Sequence, residues 1–383
     1  MASTTPAVAW DWSPAGHDVR LARAISGLET PGFAFTKDLL SYLRARRSIA
    51  SDRRTYCTNV LSALIARRHL PVAEQWAADE PDNADALVLL ARVRVREAIF
   101  ALRDRSEHAP LRFKRAVQAC EAAAAVAPED PVPWVALLSL CEADGDQARF
   151  RFGWGREGLD VVAPWSLFEE ITRRSPYNRE AFHRFIGCVA GPGPSSMATG
   201  LRGEEKLAGY AQATRTAKAQ VAVWAANSAP DGSPLKLLAL IHAADQDPFP
   251  NPAEAVRLQN YLTANPRGRD AYLTEREQVL REVWQRRRVE DAIAQADTWF
   301  SDTPSRPYLA PADVSFLAWY LHRADEQKVC RGISRRALMA ARRALEWMIP
   351  HATTTPWNRD GPADEVLAKV CQDCGIHAWQ LPR

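Results

Sequence analysis

The sequence predicts an all-α fold, an α-solenoid of stacked antiparallel helical hairpins with an irregular helical C-terminal part, and three observations predict it. Ala is abundant and β-branched runs are scarce, a composition that favours helix. No segment alternates apolar and polar residues with the period of a half-buried strand. One boundary pattern also returns: a helical run closes on a small or basic residue, a Pro with polar neighbours follows, and a new apolar run opens. It reads Ala78-Asp79-Glu80-Pro81-Asp82-Asn83, then Ala127-Pro128-Glu129-Asp130-Pro131, then Ser175-Pro176-Tyr177-Asn178, and more weakly Ala229-Pro230-Asp231-Gly232. Pro81, Pro128, Pro176 and Pro230 stand 47 to 54 residues apart. A recurring interval of tens of residues marks stacked supersecondary units.

In chain order, Pro6 and Pro14 make residues 1–17 an extended lead-in. A helical repeat region follows over 18–190, beginning with a short helix from Asp18 to Ser26. Thr36 reads as the N-cap of a helix reaching Ile49, and a further helix over 51–69 carries Tyr56, Val60, Leu61, Leu64 and Ile65 as its apolar stripe. Pro71 opens the next helix. Asn83 reads as the N-cap of a long helix to about Arg105, with Leu87, Ala91, Val95, Ala98 and Leu102 on one face and Arg92, Arg96 and Arg103 on another. Helices over 111–126 and from Pro133 to Asp144 come next, the second stopped by Gly145.

Residues 150–163 are an aromatic and Gly-rich insertion, and helices resume over 164–172 and 178–190. Gly191 to Ser196 begins a Gly/Pro loop over 191–203. Repeats continue through 204–252, with helices over 203–227 and 234–244. The C-terminal region, 253–383, carries helices over 253–264, 274–300, 312–323, 333–349 and 362–374. Thr274 and Glu277 form a capping box for the second of these.

The helix pairs joined at Ala-Pro-Glu-Asp or Glu-Pro-Asp-Asn, with a small residue before the Pro and an aromatic or Leu opening the next helix, resemble tetratricopeptide-type repeats over residues 55–245. The intervals exceed the usual 34 or so residues of that family. The resemblance implies stacked antiparallel helix pairs and a role in protein or peptide binding, and it assigns no individual ligand-binding residue.

Composition narrows the function further. An apolar fraction of 47% and a charged fraction of 25% are those of an ordinary globular protein. The net charge is only +3, so no global field points to nucleic acid or a membrane. Roughly six Arg for each Lys, with abundant Ala, matches the codon bias of a GC-rich bacterial genome. Seven scattered Cys predict reduced thiols in a cytoplasmic protein rather than a disulfide framework. The N-terminus lacks the basic and apolar regions of a signal peptide, and no apolar run is long enough to span a membrane.

Candidate chemistry is sparse. Gly153-Trp154-Gly155-Arg156-Glu157-Gly158 has the G-x-G-x-x-G spacing, but no strand–helix–strand unit surrounds it, so it reads as a turn-rich insertion. Cys371, Cys374 and His377 are the densest set of soft-metal ligands. A structural zinc site needs a fourth, such as Cys330 or His351, and the competing reading buries Cys371 in the last helix with Gly375 turning the chain. No cofactor is expected. Arg92, Arg96 and Arg103, with Arg94 and Arg105, are candidates for a basic groove, as are Arg286-Arg287-Arg288, Arg335-Arg336 and Arg342-Arg343. Trp76, Trp134, Trp224, Trp284, Trp319 and Trp347 fall at core spacing, whereas Trp154, Trp165, Trp357 and Trp379 lie near loops and read as binding-surface residues. Trp134 also opens a helix beside the expected groove and joins Arg92 and Arg96 there.

The function expected from these residues is a cytoplasmic scaffold or adaptor that binds a protein segment on a concave helical surface. Two alternatives stand beside it: an enzyme with its site near the 150–163 and 191–203 loops, and a nucleic-acid binder using the Arg-rich helices.

Overall fold

The structure is a computed structural model and describes residues 13–144, 150, 152–155, 159, 161–190, 203–245, 263–264, 286–301, 308–326, 333–349, 351–353 and 356–376. The Gly191–Ser196 segment, the capping box at Thr274, Trp284, Cys330, His377 and Trp379 lie outside the described residues. The described chain is mostly helical. Asp18–Asn227 form one compact unit, and the remaining described residues, on both sides of it in the chain, form a second.

In the first unit, α1 (Val19–Ser26) starts at Asp18, whose carboxylate accepts from Leu21 N, and α2 (Ala34–Ala45) follows two 3-10 turns. Thr36 was expected to cap α2 and instead lies inside its first turn, buried. The chain enters the helix through Gly32 (φ 80°) and Phe33 (φ 53°), and that left-handed turn fixes the start three residues earlier. The helices α3 (Arg47–Arg68), kinked at Ala50, and α4 (Leu70–Asp79) come next. They are followed by α5 (Ala84–Arg103), α6 (Ala109–Val126), α7 (Val132–Asp144), α8 (Trp165–Arg174), α9 (Arg179–Cys188) and α10 (Gly203–Ser228). Asn83 caps α5 as its sequence suggests, accepting from the amides of Asp85 and Ala86, and Asn178 caps α9 through Ala181 N.

The helices of this unit alternate in their packing. Of the odd-numbered set, α3 packs on α5, α5 on α7 and α7 on α9, and α3 also touches α7 and α9. The even-numbered helices α4, α6 and α8 each pack on the two odd-numbered helices that flank them in sequence. The core between α5, α6 and α7 is built from small and branched residues such as Val88, Ala91, Val95, Ala116, Cys120 and Ala136, which let the helices approach closely. Inside the 150–163 insertion, Gly153–Trp154 pairs antiparallel with Val162–Ala163, a two-residue ladder that an all-helical reading did not anticipate.

The second unit contains α11 (Lys236–Asp245), α12 (Arg286–Phe300), α13 (Pro311–Glu326), α14 (Ser334–Met348) and α15 (Ala363–Asp373). Their core holds Trp299, Phe316, Trp319, Tyr320, Leu345 and Trp357. Trp357, expected at a surface, is fully buried there because Pro356 starts a 3-10 turn that folds the ring inward.

Candidate functional site

The odd-numbered layer of the first unit is polar where a helical core is usually apolar. At one end, the first turns of α3 bond the starts of the three other odd helices. Arg54 is 1% exposed, and its Nε meets Asp130 Oδ2 at 2.7 Å, Nη2 meets Asp85 Oδ1 at 2.9 Å and Nη1 donates to Leu40 O at 2.9 Å. Asp85 lies in the first turn of α5, and Asp130 accepts from Val132 N at the start of α7. Toward α9, Asn178 donates to Thr55 Oγ1 at 3.0 Å, Arg179 N donates to Asp52 Oδ1 at 2.9 Å, and Ser51 and Ser175 share a hydroxyl bond at 2.9 Å. Burial opposes the charge on Arg54, but Asp130 and Asp85 outweigh it and hold the guanidinium above its ordinary range.

Further along the same helices lies a second cluster. Arg92 on α5 forks onto Glu180 on α9, with Nη1 to Oε1 at 3.0 Å and Nη2 to Oε2 at 2.9 Å, and its side chain is 2% exposed. Arg184, one turn after Glu180, meets Glu142 of α7 at 2.9 Å and Glu180 at 3.6 Å. A Cβ on Gly187 would fall 2.3 Å from Glu142 Oε1, so the glycine makes room for that carboxylate. Burial resists the charge on Glu180, yet Arg92 and Arg184 together bring its carboxyl below the usual range. Arg184 is held above its ordinary value by Glu180 and Glu142 against the same desolvation.

Arg96 departs from this pattern. It is half-buried on α5, one turn beyond Arg92, and its Nη2 bonds Asn59 Oδ1 of α3. Burial pushes its guanidinium down to about 10, the charges of Arg184 and Arg92 push the same way, and Glu180 only partly offsets them. Arg103, in the last turn of α5, is exposed and adds to that depression. The layer thus passes from the closed Arg54 end, through buried Arg92, to the half-buried Arg96, Arg184 and Glu142.

The sequence singled out Arg92, Arg96 and Arg103, and the structure sets the first two in one cluster. Arg94, on another face, pairs with Glu97 at 2.7 Å and with Glu74. Asn59, Glu142, Glu180 and Arg184 were not anticipated. The Glu180–Arg184 spacing of four residues was a readable signal, because it sets both on one helix face. Nothing in the sequence links Glu180 to Arg92, 88 residues away.

The aromatic candidates divide. Trp154 is 58% exposed. Trp134 is half-buried under Arg174, whose guanidinium lies 5.0 Å from the ring. Trp165 is core rather than surface: it opens α8 at 5% exposure, 4.9 Å edge-on to Phe185 and 6.4 Å from Trp224. Cys371 and Cys374 are buried, and desolvation pushes both thiols up to about 12. Gly375 follows at φ 72°, the turn expected of it. Among the described residues, no group of three or more His, Cys, Asp or Glu side chains could hold a metal ion, and no helix is long and apolar enough to cross a membrane. Family models, curated proteins and solved structures, compared with this chain, give no match.

Proposed function

We propose that Asp18–Asn227 form a stack of antiparallel helical hairpins of tetratricopeptide type, and that the protein is a cytoplasmic interaction scaffold holding a partner protein's segment along the odd-numbered helices. The observation that carries this reading is the packing alternation. Successive odd helices lie side by side, while each even helix covers the junction of its two neighbours. That is the contact pattern of a helical-hairpin stack, in which one layer presents side chains from every repeat to a single extended ligand. The charged cluster supports it as well, because its members come one or two from each of α3, α5, α7 and α9. The six described cysteines are free, buried thiols, which suits a reducing compartment.

Site-specific photo-crosslinking tests the reading. A crosslinking residue at Arg103, at the open end of the odd layer, captures a protein segment from native lysate after nuclease treatment. The same residue at Lys114, exposed on α6, does not. Equal capture at both positions, or capture abolished by nuclease, defeats the proposal.

A further inference from the structure

The charges of the odd layer do not balance, and the imbalance sits at one residue. The charges of Arg92 and Arg184 are paired with Glu180 and Glu142. Arg96 is bonded by a neutral amide oxygen, Asn59 Oδ1, and no carboxylate among the described residues bonds it. Arg92, Arg96 and Arg184 set three positive charges against the two of Glu142 and Glu180, an excess of one, and exposed Arg103 adds a second. A guanidinium carries five N–H donors in a rigid fork. With Asn59 steadying one edge, most of that fork remains for a ligand.

We propose that Arg96, oriented by Asn59 and flanked by Arg103 and Arg184, receives a side-chain carboxylate from an acidic stretch of the partner segment. This rests on the reading of the odd layer as the partner-binding surface. The charge of the site selects among anions. Glu180 stands near Arg96, so a run of phosphates, whose charge exceeds the excess of two, meets repulsion there, whereas one carboxylate stays within it. Planar, bidentate pairing with a carboxylate is also the geometry a guanidinium fork favours.

The test uses the full chain and a fluorescein-labelled hexaglutamate peptide read by anisotropy, with hexalysine as control and inorganic phosphate as competitor. Hexaglutamate binds and hexalysine does not. Arg96→Gln weakens binding at least about tenfold, and Arg96→Lys, which keeps the charge but not the fork, falls between. Phosphate at millimolar concentration leaves the peptide bound. Unchanged binding by Arg96→Gln, absence of hexaglutamate binding, or displacement by phosphate overturns the assignment; circular dichroism of both variants guards against unfolding. The two readings fail separately. Capture at position 103 that survives Arg96→Gln removes the carboxylate site and leaves the scaffold. Arg96-dependent hexaglutamate binding without captured partner leaves the carboxylate site and removes the scaffold.

Discussion

Arg54 and Arg96 are the same residue type in neighbouring helices, and their surroundings give them opposite energetic signs. Arg54 is enclosed with Asp85 and Asp130. Removing it leaves buried Asp130 without its cation and Asp85 with Arg44 alone, so Arg54→Met is expected to cost about 3–5 kcal/mol, read from urea unfolding at pH 7. A loss under about 1 kcal/mol would mean that the carboxylates find water or another cation. Arg96 is desolvated among like charges instead. Its proton is held more weakly in the folded chain, at about 10, than in the unfolded one, because burial and the charges of Arg184 and Arg92 oppose it. That cost is therefore fully present below pH 10 and lifts only as pH rises above it. Arg96→Met keeps the apolar stem and removes the charge, so stability at pH 7 should stay level or rise by about 1 kcal/mol. A loss above about 2 kcal/mol would make Arg96 a structural residue.

At the scale of elements, the helix boundaries are set by local chemistry, which is why they were legible. Asn83 and Asn178 sit after Pro-marked turns and cap α5 and α9. Asn83→Ala should cost about 1 kcal/mol, the usual worth of a cap. Asn178→Ala should cost more, about 2–3 kcal/mol, because its amide holds Thr55 of α3 in a fully buried bond, whereas that of Asn83 reaches only the part-exposed Glu80 three residues before it. Chemical denaturation of the two variants checks the order, and equal losses would remove the inter-helix bond from the account. Helix positions from Pro71 to Asp144 followed from periodicity and Pro placement for the same local reason. Thr36 misled because a cap is defined by backbone entry, and Phe33 takes the left-handed turn that starts α2 early. Trp165 misled because it stands where the insertion meets the helix that resumes at 164, and the rings of Phe185 and Trp224 that enclose it lie far along the chain. The charged cluster could be read only by halves. The Arg row on α5 was visible, but its partners come from 37 to 88 residues away and a chain rich in Arg gives no local sign of which Arg is enclosed.

For the molecule as a whole, the uneven distribution of buried charge predicts how it yields to acid. Residues 18–227 bury Arg54 with two aspartates and Arg92 with Glu180, whereas the core of α11 to α15 is mainly aromatic and aliphatic, with Asp313 and His322 buried beside it. Several carboxyls are held below their ordinary range. Hydrogen bonds from Lys37 and Asn83 bring Glu80 to about 2, Arg174 lowers Glu170 and Lys236 lowers Asp231. Those three are exposed to water, and such pairs contribute little. Glu180 differs, since its lowered carboxyl lies inside the odd layer between Arg92 and Arg184. A carboxyl whose folded value lies below its unfolded value contributes stability above the unfolded value, ordinarily 4.5, and that contribution is lost as pH falls through the folded value. Protonation then leaves Arg92, Arg96 and Arg184 facing one another with one neutralised partner. Stability should therefore hold level from pH 8 to 5 and drop below about pH 4. Amide exchange followed by mass spectrometry at pH 3 should rise first in α5 and α9, ahead of α13 and α14. Glu180→Gln, already lacking the charge, should start from lower stability at pH 7 and show a shallower acid loss. If exchange instead rises first in α13 and α14, the acid-sensitive element lies outside the odd layer, and Glu180 does not govern it.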